Sequence, residues 1–308
     1  MVKKQGQKDL YFMLSNWYSG ATLLAILLNN HKEISCNGES PPFRNNEIKE
    51  LVCSCGSKLD TCTHYQSVGK FLFNSDSNTW DRDLFQTVPN ICKLNFINKC
   101  LSQFSYFPRI RDLIIKKFPL FTRRINYFLD AQQQLIKNTN NHDHSSIYID
   151  GTKSVRRAEM FLNRSNKSKI IYLIRDGRAF CHSYTKNEPK ANNTTLKIAA
   201  KSWNGYIKLV DKLMERYPDT EILYVKYEDL CNKSENTIRK VCDFLNISYE
   251  PNIFNFENRQ YHILGNLMKN KFNGVIKEDL SWKRTLDAEG IKAVTKIMHK
   301  NLKRFGYI

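Results

Sequence analysis

Short apolar segments that alternate with helical patterns constrain the fold of this chain most. Four segments are continuous and rich in β-branched and aromatic residues, as in strands buried on both faces of a parallel sheet: Leu10–Leu14, Ile147–Ile149, Lys169–Ile174 and Glu221–Val225. A shorter strand is predicted at Glu33–Cys36. Helical patterns follow at Thr22–Asn30, Val155–Leu162, Arg178–Tyr184, Leu196–Tyr217 and Glu235–Leu245. This alternation predicts a doubly wound, three-layer α/β fold with a central parallel sheet.

The domain organisation follows from length and from one break in that alternation. The length allows one large α/β domain or two ordinary ones, because single hydrophobic cores stop growing at about 250–300 residues. We expect residues 1–308 to form a single domain. Residues 40–145 break the alternation and contain cysteines followed by aromatic, basic segments with helical character. These segments are Trp80–Cys100, Phe104–Lys117 and Phe121–Lys137. They predict a helical insertion that forms part of an acceptor-binding site, although a purely structural subdomain fits the same pattern.

The charge of the chain restricts its partners. The 48 Lys and Arg residues against 30 Asp and Glu residues give a net charge of +18, which indicates a polyanionic partner, an anionic ligand or a solvated basic face. The sequence has no RRM, KH, zinc-finger or bZIP pattern, so sequence-specific nucleic-acid binding is not expected. The longest apolar run, residues 21–28, is too short to span a membrane. The N-terminus lacks the apolar region of a secretory signal, and the nine cysteines are an odd, scattered set, so we expect a cytoplasmic protein.

The first strand runs directly into a turn of small residues, Ser15–Leu24. Backbone N–H groups at the start of the following helix form an anion site. Ser19 and Thr22 add hydroxyl donors, and Gly20 lets an anion approach the backbone closely. The spacing is that of a P-loop, but Ala21 stands where the P-loop lysine belongs. The segment therefore predicts an anion-binding loop and disfavours an NTPase, while an ordinary strand–turn–helix remains open.

A second candidate anion site follows the strand Lys169–Ile174. Arg175 comes directly after that strand, and Ser183 lies eight residues further along, about two helical turns away. The two side chains can converge on one phosphate group. The alternative is a surface ion pair between Arg175 and Asp176.

These two segments resemble the sulfotransferases that use 3′-phosphoadenosine 5′-phosphosulfate (PAPS). Ser15–Leu24 is similar to the 5′-phosphosulfate loop of that family, and Ile174–Ala179 with Ser183 is similar to its 3′-phosphate motif. Further motifs resemble the carbohydrate, tyrosylprotein and bacterial members: Cys36–Ser40, Cys53–Gly56 with Cys62, Asp150–Lys153, Val225–Leu230, and Gly265–Asn266 through Ser281–Lys283. Tyr18 departs from the family pattern, which has Arg or His at that position.

The resemblance implies a P-loop-like fold, a reaction and a set of site residues. Glu39 would be the general base, Lys153 the cation on the bridging oxygen, and Ser281 an assisting residue. The 5′-phosphosulfate would be held by Ser19, Gly20, Ala21, Thr22 and Leu23. The 3′-phosphate would be held by Arg175 and Ser183, with Lys269 as a further candidate, and Tyr227 would lie near the nucleotide. PAPS would be the donor and 3′,5′-ADP the product, without a metal.

The acceptor implied by the resemblance is a hydroxyl group, on a carbohydrate, a tyrosyl residue or another molecule. The excess of basic residues suits an anionic glycan or an acidic peptide. The sequence does not determine the oligomeric state. Two other functions stay open: a small-molecule or nucleoside kinase on the same fold, and a non-enzymatic basic protein that binds polyanions.

Four residues near the start of the insertion could bind a metal. Cys53, Cys55, Cys62 and His64 provide ligand types that zinc accepts in a tetrahedral site. Their spacing is not that of a standard zinc motif, so a cluster of thiols without metal is the preferred interpretation.

Overall fold

The structure is a computed structural model, and it describes residues 9–39, 51–70, 73–74, 79–80, 86–102, 107–165, 168–186, 192–257, 261–266 and 268–308. Part of the predicted insertion, residues 40–50, and the first residues predicted for its second helix, 104–106, lie outside these ranges.

The strands form a five-stranded sheet and a separate two-stranded one. Their bounds are β1 Asp9–Ser15, β2 Ile34–Ser35, β3 Phe73–Asn74, β4 Thr79–Trp80, β5 Ile147–Asp150, β6 Lys169–Ile174 and β7 Ile222–Lys226. The large sheet is parallel, with the order β2-β5-β1-β6-β7. Asp9 pairs with Ile147 at one end of β1, and Ile170 pairs with Ile222 in β6 and β7. The predicted α/β fold with a central parallel sheet is confirmed, and each predicted strand corresponds to an observed one.

Each helix predicted to follow a strand is present, and the structure adds helices that the periodicity did not predict. Their bounds are α1 Ala21–Leu28, α2 Thr63–Gly69, α3 Asn95–Ser102, α4 Pro108–Lys117, α5 Pro119–His142, α6 Val155–Arg164, α7 Gly177–Lys186, α8 Asn193–Arg216, α9 Tyr227–Asn232, α10 Ser234–Leu245, α11 Met268–Lys271, α12 Trp282–Thr285 and α13 Ala288–Arg304. Local capping fixes several ends: the Ser154 side chain accepts a hydrogen bond from the Arg157 N–H at the start of α6, and Asn192 forms a capping box with Thr195 at the start of α8. None of the helices in the described ranges has the length and apolar character needed to cross a bilayer.

The prediction of one helix over Trp80–Cys100 is wrong. Trp80 belongs to β4, which pairs antiparallel with β3, and the helix α3 begins only at Asn95. Pro89 offers no backbone N–H for a helical hydrogen bond. The Asn98 side chain accepts hydrogen bonds from the backbone N–H groups of Ile91 and Cys92, so it holds the preceding chain in a turn. The two other predicted helices of the insertion are present as α4 and α5, and α5 extends beyond its predicted bounds at both ends.

The chain divides into two compact units. The first comprises Met1–Phe12, Ala25–Lys169 and Glu250–Asn273, and the second comprises Met13–Leu24, Ile170–Tyr249 and Gly274–Ile308. The expected single domain over residues 1–308 stays a prediction.

The first unit contains ionic groups in its interior. Arg157 donates to Asp150 at 2.6 Å and to Gln132 at 2.7 Å, and all three side chains are buried. Glu159 accepts from Arg111 at 2.8 Å and from Arg156 at 2.7 Å. Because each buried charge has a charged partner, these pairs fix the end of β5 relative to α6.

The second unit is organised around the helices α7, α8 and α13. Trp203 of α8 is fully buried and donates through Nε1 to the Arg175 carbonyl at 3.2 Å. A Cβ on Gly177 would overlap both Trp203 and Met298, so the absence of a side chain there permits close packing of the three helices. This packing fixes the backbone of Arg175 at the end of β6.

Candidate active site

The loop between β1 and α1 has the backbone of an anion-binding turn. Tyr18 has φ +57° and Gly20 has φ +86°, and the helix begins immediately afterwards at Ala21. Ser19, Ala21, Thr22 and Leu23 are buried, and the residues predicted to hold the 5′-phosphosulfate are therefore together at one helix N-terminus. A Cβ on Gly20 would overlap the Tyr227 ring, so Tyr227 packs directly against the loop.

Arg175 connects this loop to the predicted 3′-phosphate site. Its Nη1 donates to the Tyr18 carbonyl at 2.8 Å and to Ser183 Oγ at 3.3 Å. Its guanidinium carbon lies 4.6 Å from the centroid of the Tyr227 ring. The Arg175 side chain is only 6% exposed, and its buried Nε has no hydrogen-bond partner among the described residues. The structure thus brings Arg175, Ser183 and Tyr227 together with the loop, and the alternative of a surface pair with Asp176 does not hold, since Asp176 binds Arg178.

Asp279 is a member of this cluster that sequence reasoning missed. Its carboxylate lies 3.5 Å from Arg175 Nη2, and its carbonyl accepts from the same nitrogen at 3.1 Å. Burial by itself would raise the pKa of Asp279, but hydrogen bonds from Ser281 and the charge of Arg175 outweigh it and lower the pKa. No local motif marks Asp279, because its partner Arg175 is 104 residues away in the chain.

Ser281 hydrogen-bonds within the same cluster. Its Oγ donates to Asp279 at 2.5 Å and lies 3.4 Å from His182 Nδ1. Burial lowers the pKa of His182, and together with the charges of Lys186 and Arg175 it outweighs the opposing charge of Asp279, which favours the neutral imidazole. The assisting role of Ser281 in catalysis stays a prediction.

In the first unit, Glu39 and Lys153 form an ion pair. Lys153 Nζ lies 2.5 Å from Glu39 Oε1, and the lysine side chain is 9% exposed against 26% for the glutamate. Lys153 has φ +63°, a left-handed conformation that costs a non-glycine residue roughly 1 kcal/mol. The predicted base and the predicted cation are therefore in direct contact.

Two close backbone approaches hold this ion pair in place. A Cβ on Gly151 would meet the Gly38 carbonyl, so the loops after β5 and β2 approach as closely as glycines allow. The Glu39 N–H donates to the Leu264 carbonyl at 3.0 Å, and the Leu264 N–H donates to the Asn37 carbonyl at 2.9 Å. The position of Glu39 thus depends on the segment around Leu264.

Comparison with known proteins identifies the family. Residues 11–251 match the family model described as the sulfotransferase family. The chain belongs to the sulfotransferase family. A search of curated proteins gave no match.

Two solved sulfotransferase structures have the same fold. The sulfotransferase domain from the curacin biosynthetic pathway is 15% identical, with a TM-score of 0.51 over 95% of this chain and 98% of that one. The sulfotransferase domain from the Synechococcus PCC 7002 olefin synthase is also 15% identical, with a TM-score of 0.50 over 96% of this chain and 97% of that one. Together with the parallel sheet they support the P-loop-like sulfotransferase fold.

Lys269 of this sulfotransferase lies in the first unit, whereas Arg175 and Ser183 belong to the second. Its Nζ donates to the Gly265 carbonyl at 3.0 Å. Burial lowers the pKa of Lys269 and outweighs the charge of Glu39, which acts in the opposite direction. Its contact with a 3′-phosphate stays a prediction.

The cysteines of the insertion are assembled as the sequence indicates, but with a different histidine. Cys53, Cys55 and Cys62 have their sulfur atoms close to the ring of His262, and the four ligand atoms lie within 4.8 Å of one another. His64 is not the fourth member of this group: its ring stacks on His262 with the centroids 4.6 Å apart, and its Nδ1 faces Asp143 at 3.7 Å. The sequence could not identify His262, because it is 200 residues from Cys62.

Proposed function

We propose that this sulfotransferase transfers the sulfuryl group of PAPS to a hydroxyl group of a carbohydrate, a tyrosyl residue or another hydroxyl acceptor. The observation that carries the proposal is the buried Arg175, which is aligned by Ser183 and by the loop carbonyl of Tyr18. Within the part of the chain that the structure describes, its Nε has no hydrogen-bond partner. A buried guanidinium with unused donor capacity suits a phosphate, which accepts several charge-assisted hydrogen bonds.

The surroundings of Arg175 favour a nucleotide over a free anion. The Tyr227 ring offers an aromatic surface beside the guanidinium, and the N-terminus of α1 offers backbone N–H groups beside the same ring. A ligand with two separate anionic groups joined by an adenosine would use both features. PAPS and 3′,5′-ADP have this character, and the residues present therefore fit the donor that the family resemblance implies.

The proposed reaction assigns separate tasks to Glu39 and Lys153. The acceptor oxygen forms a bond to sulfur while the bond from sulfur to the bridging phosphate oxygen breaks, and the electron pair of that bond stays on the phosphate of 3′,5′-ADP. Glu39 takes the proton from the acceptor hydroxyl, and Lys153 stabilises the charge that develops on the leaving oxygen. A sulfuryl group carries less charge than a phosphoryl group, so we expect the transfer to proceed without a divalent metal.

The test measures nucleotide binding first and transfer second. We expect 3′,5′-ADP to raise the unfolding midpoint in proportion to the logarithm of its concentration, and 5′-AMP at equal concentration to raise it much less. Sulfur-35-labelled PAPS should then transfer its label to an acceptor in a panel of glycans, tyrosyl peptides and small phenols. No protection by 3′,5′-ADP would contradict the proposal.

The two other functions predict different outcomes in the same experiment. A kinase would be protected by ATP with Mg²⁺ and not by 3′,5′-ADP. A protein that only binds polyanions would retain heparin or nucleic acid with a steep dependence on salt, and 3′,5′-ADP would not protect it.

A further inference from the structure

The group Cys53, Cys55, Cys62 and His262 lies outside the machinery proposed for sulfuryl transfer. Cys53 and Cys62 are buried, whereas Cys55 and His262 are partly exposed. The sulfur atoms of Cys55 and Cys62 are 3.7 Å apart. His262 Nδ1 lies 3.6 Å from the Cys53 sulfur and 3.3 Å from the Cys62 sulfur.

These three distances have the size of edges in a zinc-centred tetrahedron, and all four ligand atoms lie within 4.8 Å of one another. With Zn–S bonds of about 2.3 Å and a Zn–N bond of about 2.0–2.1 Å, a regular tetrahedron has S–S edges of about 3.8 Å and S–N edges of about 3.6 Å. A disulfide requires an S–S bond of about 2.05 Å, far shorter than the separation between Cys55 and Cys62. The arrangement thus matches a three-sulfur, one-nitrogen metal site.

The backbone around the four residues is fixed by hydrogen bonds that leave the three cysteine sulfur atoms and the His262 ring unused. Ser54 donates through Oγ to the Tyr261 carbonyl and accepts from the Ile263 N–H, so it joins the first cysteine segment to both neighbours of His262. The Gly56 N–H donates to the Cys53 carbonyl, and Gly56 has φ +87°, which gives the tight turn that directs Cys53 and Cys55 to the same side. Tyr65 OH donates to the His262 carbonyl at 3.0 Å.

An apolar shell surrounds the cluster. Leu59, Tyr65, Val68, Ala131, Leu135 and Leu264 are buried in one group with Cys53 and Cys62. Soft thiolates in such a shell select zinc over calcium and magnesium, which prefer oxygen ligands. Four protein ligands leave no open position for water or substrate, which is the arrangement of a structural site.

We propose that Cys53, Cys55, Cys62 and Nδ1 of His262 bind one Zn²⁺ as a structural site that clamps the segment 261–264 to the turn 53–56. Leu264, two residues from His262, pairs through its backbone with Asn37 and Glu39. Zinc therefore stabilises the backbone against which Glu39 is positioned. Only this last consequence, on catalysis, depends on the proposed function.

The first test is metal content and coordination in the full chain. Protein purified under reducing conditions should contain about one zinc per chain by elemental analysis. Exchange for Co²⁺ should give the visible absorption of tetrahedral cobalt with a sulfur-to-metal charge-transfer band. Removal of zinc with a strong chelator should lower the unfolding midpoint by more than about 5 °C, and added Zn²⁺ should restore it.

Matched variants identify the ligands. Cys55→Ser and His262→Gln should weaken zinc binding by more than the roughly 10–100-fold that follows loss of an outer-shell partner. Cys100→Ser, at an exposed cysteine outside the cluster, should leave zinc content unchanged. His64→Gln should retain zinc, since its ring only stacks on the ligand.

Several results would overturn the proposal. They are a wild-type chain that takes up neither Zn²⁺ nor Co²⁺ under reducing conditions, iron in place of zinc, and loss of zinc in His64→Gln with retention in His262→Gln. If Cys55→Ser fails to fold, the metal content of the wild-type chain still decides whether the site exists. Zinc binding without transfer from PAPS would contradict the proposed function and leave the metal site standing.

Discussion

Lys153 Nζ lies 2.5 Å from Glu39 Oε1, so the proposed cation and the proposed base neutralise each other in the first unit. A change at either residue removes a chemical group and also breaks the ion pair. Effects on transfer must therefore be separated from effects on stability by measuring both.

Glu39→Gln should reduce the turnover number for sulfuryl transfer by about 10²–10⁴-fold, because glutamine cannot accept the acceptor's proton. The pair is partly exposed, so we expect the free energy of unfolding to change by less than about 1 kcal/mol. Glu33→Gln is the matched control: Glu33 also lies beside β2, and its carboxylate accepts only from Ser146 among the contacts described. Transfer at the wild-type rate by Glu39→Gln would exclude Glu39 as the base.

Lys153→Met should also reduce the turnover number. In the double variant with Glu39→Gln, the activation free energy should rise by less than the sum of the increases in the two single variants. Residues that act on one reaction and contact each other are rarely additive. Steady-state kinetics of the four proteins give the coupling directly. Strict additivity would show that the two residues act independently.

Arg175→Lys should weaken binding of 3′,5′-ADP by about 10–150-fold, which corresponds to ~1.5–3 kcal/mol for lost hydrogen bonds to a charged group. Lysine keeps the charge but cannot reproduce the planar donor that reaches Tyr18 and Ser183 together. Arg239→Lys, on the exposed face of α10, should leave the dissociation constant unchanged. Isothermal titration calorimetry measures the dissociation constant of 3′,5′-ADP for both variants. If Arg175→Lys binds 3′,5′-ADP as tightly as Arg239→Lys does, Arg175 does not belong to the nucleotide site.

Two glycines of the second unit should respond in opposite ways to alanine. Gly20→Ala should lower the free energy of unfolding by about 1–3 kcal/mol and weaken nucleotide binding, because its φ is +86° and the new Cβ would overlap Tyr227. Gly205→Ala, inside α8 with open space around it, should raise the free energy of unfolding by about 0.5–1 kcal/mol. Denaturant unfolding of both variants checks this contrast, and a stabilised Gly20→Ala would show that the loop is not constrained as described.

Glu228 should contribute a pH-dependent part to stability. Burial raises its pKa, and this outweighs the hydrogen bonds from the Asp176 N–H and Tyr307 OH. A carboxyl group with a raised pKa in the folded state contributes stability below its unfolded pKa and loses it as the pH rises through the folded pKa. Relative to the wild type, Glu228→Gln should therefore become more stable as the pH rises from about 4 to about 7. Urea unfolding at several pH values measures the difference, with the exposed Glu235→Gln as a control that should show no such trend.

The elements of the sheet could be predicted because their signal is local. The strand Lys169–Ile174 is continuously apolar from Ile170 onward, and its role as a parallel strand follows from that pattern. The anion-binding loop could be predicted for the same reason, since a strand, a turn and a helix follow one another within a few residues. The prediction of a helix over Trp80–Cys100 was wrong because the aromatic and basic residues of this segment resemble one face of a helix. Pro89 interrupts the segment.

Contacts between distant residues that belong to no family motif could not be predicted. Only the folded chain brings Asp279 into contact with Arg175, and His262 into contact with Cys62. Neither Asp279 nor His262 belongs to a motif that distinguishes it from other aspartates or histidines in the sequence. Charged residues inside α6 are a related case: Arg156 and Glu159 are buried, although a sequence pattern places such residues on the solvent side. Burial of these charges depends on partners such as Arg111, which belongs to another helix.

The Tyr18 carbonyl that accepts from Arg175 belongs to the main chain. Every amino acid supplies this oxygen, so the link between loop and guanidinium is indifferent to the side chain at position 18. What the position demands is a backbone with φ near +57°, which Gly, Asn and Asp adopt most readily. A saturation library at position 18 should therefore tolerate many replacements, with Gly and Asn among the best, whereas a library at Arg175 should tolerate almost none. The departure from the family pattern at Tyr18 therefore leaves this contact between the loop and Arg175 intact.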